Sequence, residues 1–487
     1  MKSLWLFVSL CAAIALAATV SFAQPDSLWS RTYGGTGDDA VLSVAPTTDG
    51  GYVLGGATQS SGAGSDDAWM IKTNADGDTL WCRTFGGAQS DGATHVGQTA
   101  DGGYFIAGMT FSYGVGNGDF WLIKADADGN TVWSRTYGGP GEDYCGSKRG
   151  RGQQTYDEGY ILAGYTTSFG AGDRDFWLVK TNANGDSVWS RTFGGPLTDQ
   201  AHYVVQTADS GYIVAGMTYS FGAGSGDFWL VKTDSNGDSV WSHTYGKPYE
   251  DGAWCVRQTM DGGYVVVGHS NRSNGFSDIW LVKTSADGDS LWSLTYGVSD
   301  RNEAGGSVLQ TSDSGYVIAG YSDYPDGDLL LVRTDSDGNV LWDRVFGGPE
   351  WDGGYDIQAT SDGGYVVAGA TNSFGAGSGD AWLVKTGPDP VSAVDQVVPQ
   401  PSSYSLSSYP NPFNPSTTIA YDLPKSGRIS LRVFDLLGRE VAVLADEVVQ
   451  AGSHRVVFDG SELASGIYFA RLETNGFAQT RKLLLVK

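Results

Sequence analysis

The stretch DGAWCVRQTMDGGYVVVGHSNRSNGFSDIWLVKTSADGDSLWSLTYG, residues 251–297, contains four short runs in which apolar and polar residues alternate. These are Ala253 to Thr259, Gly263 to Gly268, Ile279 to Thr284 and Leu291 to Tyr296. Period-2 alternation predicts four β-strands, named A to D. Strands C and D are joined by Ser285 to Asp289, whose Asp and Gly suit a tight hairpin turn. The unit then recurs. A WSRTYGG-like phrase centred on Trp29, Trp81, Trp133, Trp189, Trp241, Trp292 and Trp342 repeats at spacings of 52, 52, 56, 52, 51 and 50 residues. A DGGYVVAG-like phrase repeats at Tyr52, Tyr104, Tyr160, Tyr212, Tyr264, Tyr316 and Tyr365. A DFWLVKT-like phrase repeats at Trp69, Trp121, Trp177, Trp229, Trp280, Leu330 and Trp382, with Trp missing only from the sixth copy.

Seven four-stranded units of this length predict a seven-bladed β-propeller, whereas a β-solenoid would show shorter repeats. The phase of the repeat supports this. The chain enters on a D phrase, Ser27 to Tyr33, and the last copy stops after its C phrase at Thr386. The N-terminal strand is therefore predicted to pair with Ala381 to Thr386 and complete the last blade, leaving no open edge. The repeated Trp residues alternate with Ser and Arg, which predicts that they fill the space between blades and are not a carbohydrate platform.

Composition agrees with an all-β chain: 71 Gly among 487 residues, with 16 Trp and 25 Tyr. With 55 acidic and 30 basic residues the net charge is −25, which argues against nucleic acid or anionic lipid as partners. Met1 to Ala23 carries Lys2, an apolar run from Leu4 to Val20, and Ser21-Phe22-Ala23. It reads as a secretory signal cleaved at about Ala23, in preference to a membrane anchor, and no later segment has transmembrane length. Cys82, Cys145 and Cys255 remain in the mature chain, at spacings that give neither a disulfide framework nor a metal-ligand pattern.

The propeller is expected over residues 24–387, followed by a Pro- and Ser-rich linker over 388–408. Residues 409–487 alternate again in short runs and predict a small Ig-like β-sandwich of six or seven strands. This tail resembles the C-terminal sorting domain of the bacterial type IX secretion system, related to Ig-like domains of the flagellar hook-capping protein. The likeness rests on Tyr409-Pro410-Asn411-Pro412-Phe413-Asn414-Pro415, the strand and turn from Val433 to Gly438, Leu463 to Tyr468 with Gly466, and the basic ending at Arg481-Lys482. It implies export through the periplasm to the outer surface of a Gram-negative bacterium, with that secretion machinery as partner. The propeller resembles uncharacterised extracellular bacterial β-propeller repeat proteins that often carry such tails. In Asp126 to Trp133 it is also similar to the quinoprotein propeller repeat, which implies architecture only.

Hydrolytic motifs are absent: there is no GxSxG, no HExxH and no close His pair with a carboxylate. His95 and His202 read as ordinary strand residues. The DADGD-like turns lack the Glu that an EF-hand needs and read as hairpins. An acidic residue opens every A strand: Asp39, Asp91, Asp143, Asp199, Asp251, Glu303 and Asp352. A second set, Asp67, Asp119, Asp175, Asp227, Asp278, Asp328 and Asp380, opens the C strands on the same face. Each acid is expected to accept hydrogen bonds from loop amides of its own blade. A ring of them facing the axis would instead require a cation such as calcium, the one cofactor the sequence points to. The B–C loops carry Tyr113, Phe169, Phe221, Phe276 and Phe374, either packed on their own loops or forming a platform for glycan or protein. Near-identical copies favour a binding or scaffold role over catalysis, with contacts on the face of the B–C and D–A loops. The alternative is a secreted polysaccharide hydrolase or lyase using two propeller carboxylates. The largest irregularity, Lys148 to Gln154 in the third copy, is basic and Gly-rich and offers no such pair.

Overall fold

The computed structural model describes residues 26–145, 151–323, 327–390, 404–409, 411–425, 427–449, 452–474 and 477–486. The signal segment 1–23, most of the linker, Lys148 to Gly150 and Pro410 lie outside the described residues. The chain divides into two compact units, residues 1–392 and 393–487.

The first unit is a seven-bladed β-propeller. Blade 1 consists of A Asp39–Pro46, B Tyr52–Thr58, C Asp67–Thr73 and D Thr79–Phe85, paired antiparallel in the order A-B-C-D. Blades 2 to 6 repeat this order. In blade 3 the A strand is split into Asp143–Tyr144 and Gly152–Gln154, both paired with B Tyr160–Thr166. Blade 7 closes as the repeat phase predicts: Ser27–Tyr33 is its D strand, running antiparallel to Asp380–Thr386 with Ser27 opposite Thr386 and Tyr33 opposite Ala381. The A strands touch their counterparts in both neighbouring blades, with blade 1 against blade 7, so they form the innermost ring. B and C strands are almost wholly buried, while the outer D strands alternate exposed and half-buried residues.

Two devices hold blade to blade. C-strand aromatics interleave across the interfaces, with ring centroids of Phe120 and Trp177 4.6 Å apart and those of Phe176 and Trp229 4.5 Å apart. D-strand Trp residues lie edge-on against the next blade's B-strand Tyr, as in Trp81 on Tyr104 at 5.6 Å. A side chain at Gly129, in the next blade's C–D turn, would collide with Trp81, and the φ of +80° there also favours glycine. Within each blade the DGGY turn is tied to the C strand: Lys180 Nζ donates to Asp157 at 2.8 Å and to the Thr181 carbonyl at 2.7 Å.

Blade 6 uses Arg333 in place of this Lys, and the guanidinium bridges Asp313 and Asp389. Asp389 is fully buried and also accepts from Tyr365 Oη at 2.7 Å and Trp342 Nε1 at 3.2 Å. The first residues of the expected linker are thus docked on the propeller.

The second unit is a β-sandwich of seven strands. One sheet pairs Ser405–Tyr409, Ser416–Leu423 and Gly452–Asp459; the other pairs Glu440–Val449, Gly427–Asp435, Gly466–Thr474 and Phe477–Leu485. The Asn411 amide donates to the Lys482 carbonyl at 2.7 Å and accepts from Leu484 N–H at 2.8 Å, seating buried Phe413 against Phe458. Gly438 provides a φ of +79° in the turn after Asp435, and Tyr468 Oη donates to the Ala464 carbonyl at 2.8 Å. Tyr468 lies two residues into the strand that Gly466 opens, whereas Arg481 and Lys482 are exposed on the last strand.

Candidate functional site at the propeller axis

Six of the seven A strands carry a β-bulge after their third residue, for example between Val41 and Ser43 and between Gly354 and Asp356. A bulge places an extra residue on the strand and re-aims its neighbours. It brings the fifth residue of each A strand to the axis: Ser43, His95, Tyr203, Cys255, Ser307 and Asp356. Blade 3 reaches the same level with Arg151, since Gly152 opposite Leu162 matches Val96 opposite Ile106. The flanking phrases repeat almost unchanged, yet this position holds six different residue types in seven blades.

These residues form one buried network. Arg151 pairs with Asp356 from across the ring, with side chains 8% and 0% exposed. Asp356 also accepts from Val44 N–H at 3.1 Å and Ser307 Oγ at 3.2 Å. The Arg151 guanidinium lies 4.6 Å from the Tyr203 ring centroid, and that of Arg257 lies 5.3 Å from it. Ser43 Oγ and Arg151 Nη1 lie 2.7 and 3.3 Å from His95 Nδ1, and because Arg only donates, this nitrogen accepts. Burial, then the Arg151 charge, hold the His95 imidazole well below its ordinary pKa. Burial alone would raise the Asp356 carboxyl, but the charge and hydrogen bond of Arg151 outweigh it and keep it low. Among the described residues, Tyr203 Oη and two nitrogens of Arg257, Nε and Nη2, have no hydrogen-bond partner.

A cavity of about 560 Å³ opens above this network on the face of the A–B turns, lined by His95, Phe105, Arg151, Gln153, Tyr203 and Arg257 among others. On the side of the D–A loops lies a smaller cavity of about 240 Å³, lined by Leu42, Asp91, Thr94 and Tyr355 among others. In a chain of net charge −25 the described residues that line the axial cavity include two Arg and no carboxylate. A third cavity, about 620 Å³, lies on the outer side of blades 5 and 6, where Leu330 stands in place of the repeated Trp.

The A-strand acids occupy a different place. Each is buried at the start of its strand and accepts within its own blade: Asp91 Oδ2 from Gly87 N–H at 2.8 Å and Ser112 Oγ at 2.6 Å, with Thr110 Oγ1 on Oδ1. The same arrangement recurs at Asp39, Asp143, Asp199 and Asp352, while Asp251 accepts from Lys247 N–H and Glu303 from Ser322. These acids do not face one another across the axis. Each instead meets the C-strand acid of the preceding blade beside a D–A loop glycine, as Asp119 and Asp143 do at Gly138. The loop aromatics Tyr113, Phe169, Phe221 and Phe374 are about half exposed, and each lies against the C-strand Trp of its own blade at 5.4 to 5.9 Å. Phe276 is half-buried in a loop closed by its own carbonyl on Arg272 N–H.

Fold and tail together define the class: a β-propeller joined to an export domain. Residues 407–487 match the family model described as secretion system C-terminal sorting domain, and the second unit is a domain of that family. The chain is similar to several solved structures at low identity. PorZ of Porphyromonas gingivalis, a surface component of the type IX secretion system, shares 12% identity over 93% of this chain with a TM-score of 0.41. The match spans 60% of PorZ's own length. A protein of unknown function from Dyadobacter fermentans shares 11% identity over 75% of this chain and 99% of its own, with a TM-score of 0.41. An ulvan lyase shares 12% over 74% and 97%, with a TM-score of 0.47. These likenesses carry nothing about ligand or activity. No curated protein matches the chain by sequence. Among the described residues no helix is long and apolar enough to cross a membrane.

Proposed function

We propose that the protein is a binding module of the cell surface or its surroundings, exported through the periplasm of a Gram-negative bacterium, and that it takes a glycan into the axial cavity. The observation that carries this reading is the fifth A-strand position. A residue that serves only its own blade repeats with the blade, as the acids, Lys and Trp do. At the axis the residue type changes from blade to blade, which is the signature of a site built once per ring.

The chemistry fits a sugar. Tyr203 and Arg257, whose Oη, Nε and Nη2 have no hydrogen-bond partner among the described residues, line a cavity that also offers the face of Phe105. Unsatisfied buried groups of this kind are costly unless a ligand or water pairs them. A volume of about 560 Å³ falls within the range of small-ligand sites, roughly 300–1,000 Å³. The hydrolase or lyase alternative needs two acids at the ligand. Among the described residues lining the cavity there are none, and Asp356 lies behind Arg151.

A glycan array probed with the mature chain tests this. The expected result is selective binding that Arg257→Ala and Tyr203→Phe each weaken, the former about tenfold or more, as loss of a hydrogen bond to a charged group implies. Binding that both variants retain in full would count against the axial cavity.

A further inference from the structure

At the interface of blades 2 and 3, Asp119 at the start of a C strand and Asp143 at the start of the next A strand converge on Gly138. A Cβ placed there would collide with Asp119 Oδ1 and lie 3.0 Å from Asp143 Oδ2, so both carboxylates pack against this glycine. The two residues are 1% and 0% exposed. Asp119 Oδ2 is held by Val115 N–H at 2.9 Å, and Asp143 Oδ2 by Gly139 N–H at 2.7 Å. Asp119 Oδ1 has no hydrogen-bond partner among the described residues. At the interface of blades 4 and 5, Asp227 is 1% exposed, packs its Oδ1 against Gly246 with no hydrogen-bond partner for that atom among the described residues, and feels the charge of Asp251.

Blade 5 shows what such a pair accepts. Its B strand ends Ser270-Asn271-Arg272, where blade 2 has Thr110-Phe111-Ser112. Arg272 therefore stands where Ser112 stands, and its guanidinium enters the next interface. There Nε donates to Asp278 at 2.5 Å, and Nη2 pairs with Asp278 and lies 4.0 Å from Glu303. Two buried carboxylates packed against one glycine repel unless a proton or a cation sits between them. Here the cation is supplied by the chain itself.

We propose that the Asp119–Asp143 and Asp227–Asp251 pairs each bind a divalent cation of the calcium class, in the place that Arg272 fills between Asp278 and Glu303. All the side-chain donors are carboxylate oxygens, which select hard ions over the softer transition metals. Among the described residues no three acidic, His or Cys side chains converge, so water and backbone carbonyls complete the shell. The affinity then belongs to the weak class of extracellular modules, with Kd of about 10⁻⁴ to 10⁻³ M. Burial, and the Asp143 charge after the opposing bond from Val115, push the Asp119 carboxyl up to about 6. This inference is independent of the axial cavity.

Calcium titration of the chelator-stripped mature chain, by calorimetry with melting curves alongside, provides the test. The expected result is saturable binding that raises the melting temperature, with Asp119→Asn removing one equivalent. Arg272→Ser should add one, because it empties a pair that the chain now fills for itself. If Asp119→Asn does not fold, the gain in Arg272→Ser decides alone. No heat and no thermal shift at calcium on the order of 10 mM would overturn the proposal, as would binding that neither substitution changes.

Discussion

Asp356→Asn removes the charge from one partner of the Arg151 pair and leaves the shape of the site almost intact. Asp356 is fully buried and the Arg151 side chain is 8% exposed, so the guanidinium would be left without a counter-charge beneath the cavity. Breaking a buried pair in this way costs about 3–5 kcal/mol, because the surviving charge is not resolvated. Val44 N–H bonds to one carboxylate oxygen and Ser307 Oγ to the other, and an asparagine has a single acceptor oxygen, so only one of these two bonds can survive and about 3 kcal/mol is the least the substitution should cost. In urea unfolding followed by Trp fluorescence, about 3 kcal/mol divided by a slope of about 3 kcal/mol/M shifts the propeller midpoint down by roughly 1 M. Arg151→Met combined with Asp356→Asn should recover most of this, since the orphan charge is gone. The pair also sets an acid limb. The Asp356 carboxyl lies below its ordinary value, so its contribution is present above about pH 3.9 and is lost as pH falls through the folded value. A single-variant midpoint within about 0.2 M of the parent, or a double variant no better than the single, would refute this reasoning.

Leu330→Trp should stabilise the propeller by about 0.5–2 kcal/mol in the same assay, by filling the cavity between blades 5 and 6. The new indole N–H would have Asp343 available where Trp121 uses Ser134. Trp177→Ala, which empties the contact with Phe120 and Phe169, should cost about 3–5 kcal/mol by the same measurement. Asn411→Ala leaves the Leu484 amide and the Lys482 carbonyl without their partner and should lower the stability of the second unit by about 1–3 kcal/mol in calorimetry. In NMR the His95 imidazole should remain neutral as pH falls well past 6.5, since burial and Arg151 disfavour its protonation. An imidazole that titrates near 6.5 would contradict the buried network.

Much of the propeller was readable because each blade repeats its phrases in one register. Trp, DGGY turn and C strand recur in order, and the complementary ends placed Ser27–Tyr33 on Ala381–Thr386. The axial network was not readable for two physical reasons. The bulge before Ser43, His95 and Asp356 breaks the period-2 rule that assigns side chains to faces. Only ring closure brings Arg151 to Asp356, 205 residues away. Arg151 itself sits in an irregular segment that reads as a basic spacer. Aligning the A strands and asking which position varies while its neighbours repeat would have exposed the site. The acidic sets were visible and assigned to one face, but their pairing across blade boundaries depends on how each C strand meets the following A strand. The Asp389 anchor was hidden because a lone Asp among Pro residues carries no periodic signal.

The most direct test of the account is a crystal structure of the mature chain with the glycan it selects. The account predicts ligand density in the axial cavity, within hydrogen-bond reach of Tyr203 Oη and the Arg257 guanidinium. Density on the opposite face, against Tyr113, Phe169 and Phe221 with the axial cavity holding only water, would contradict it.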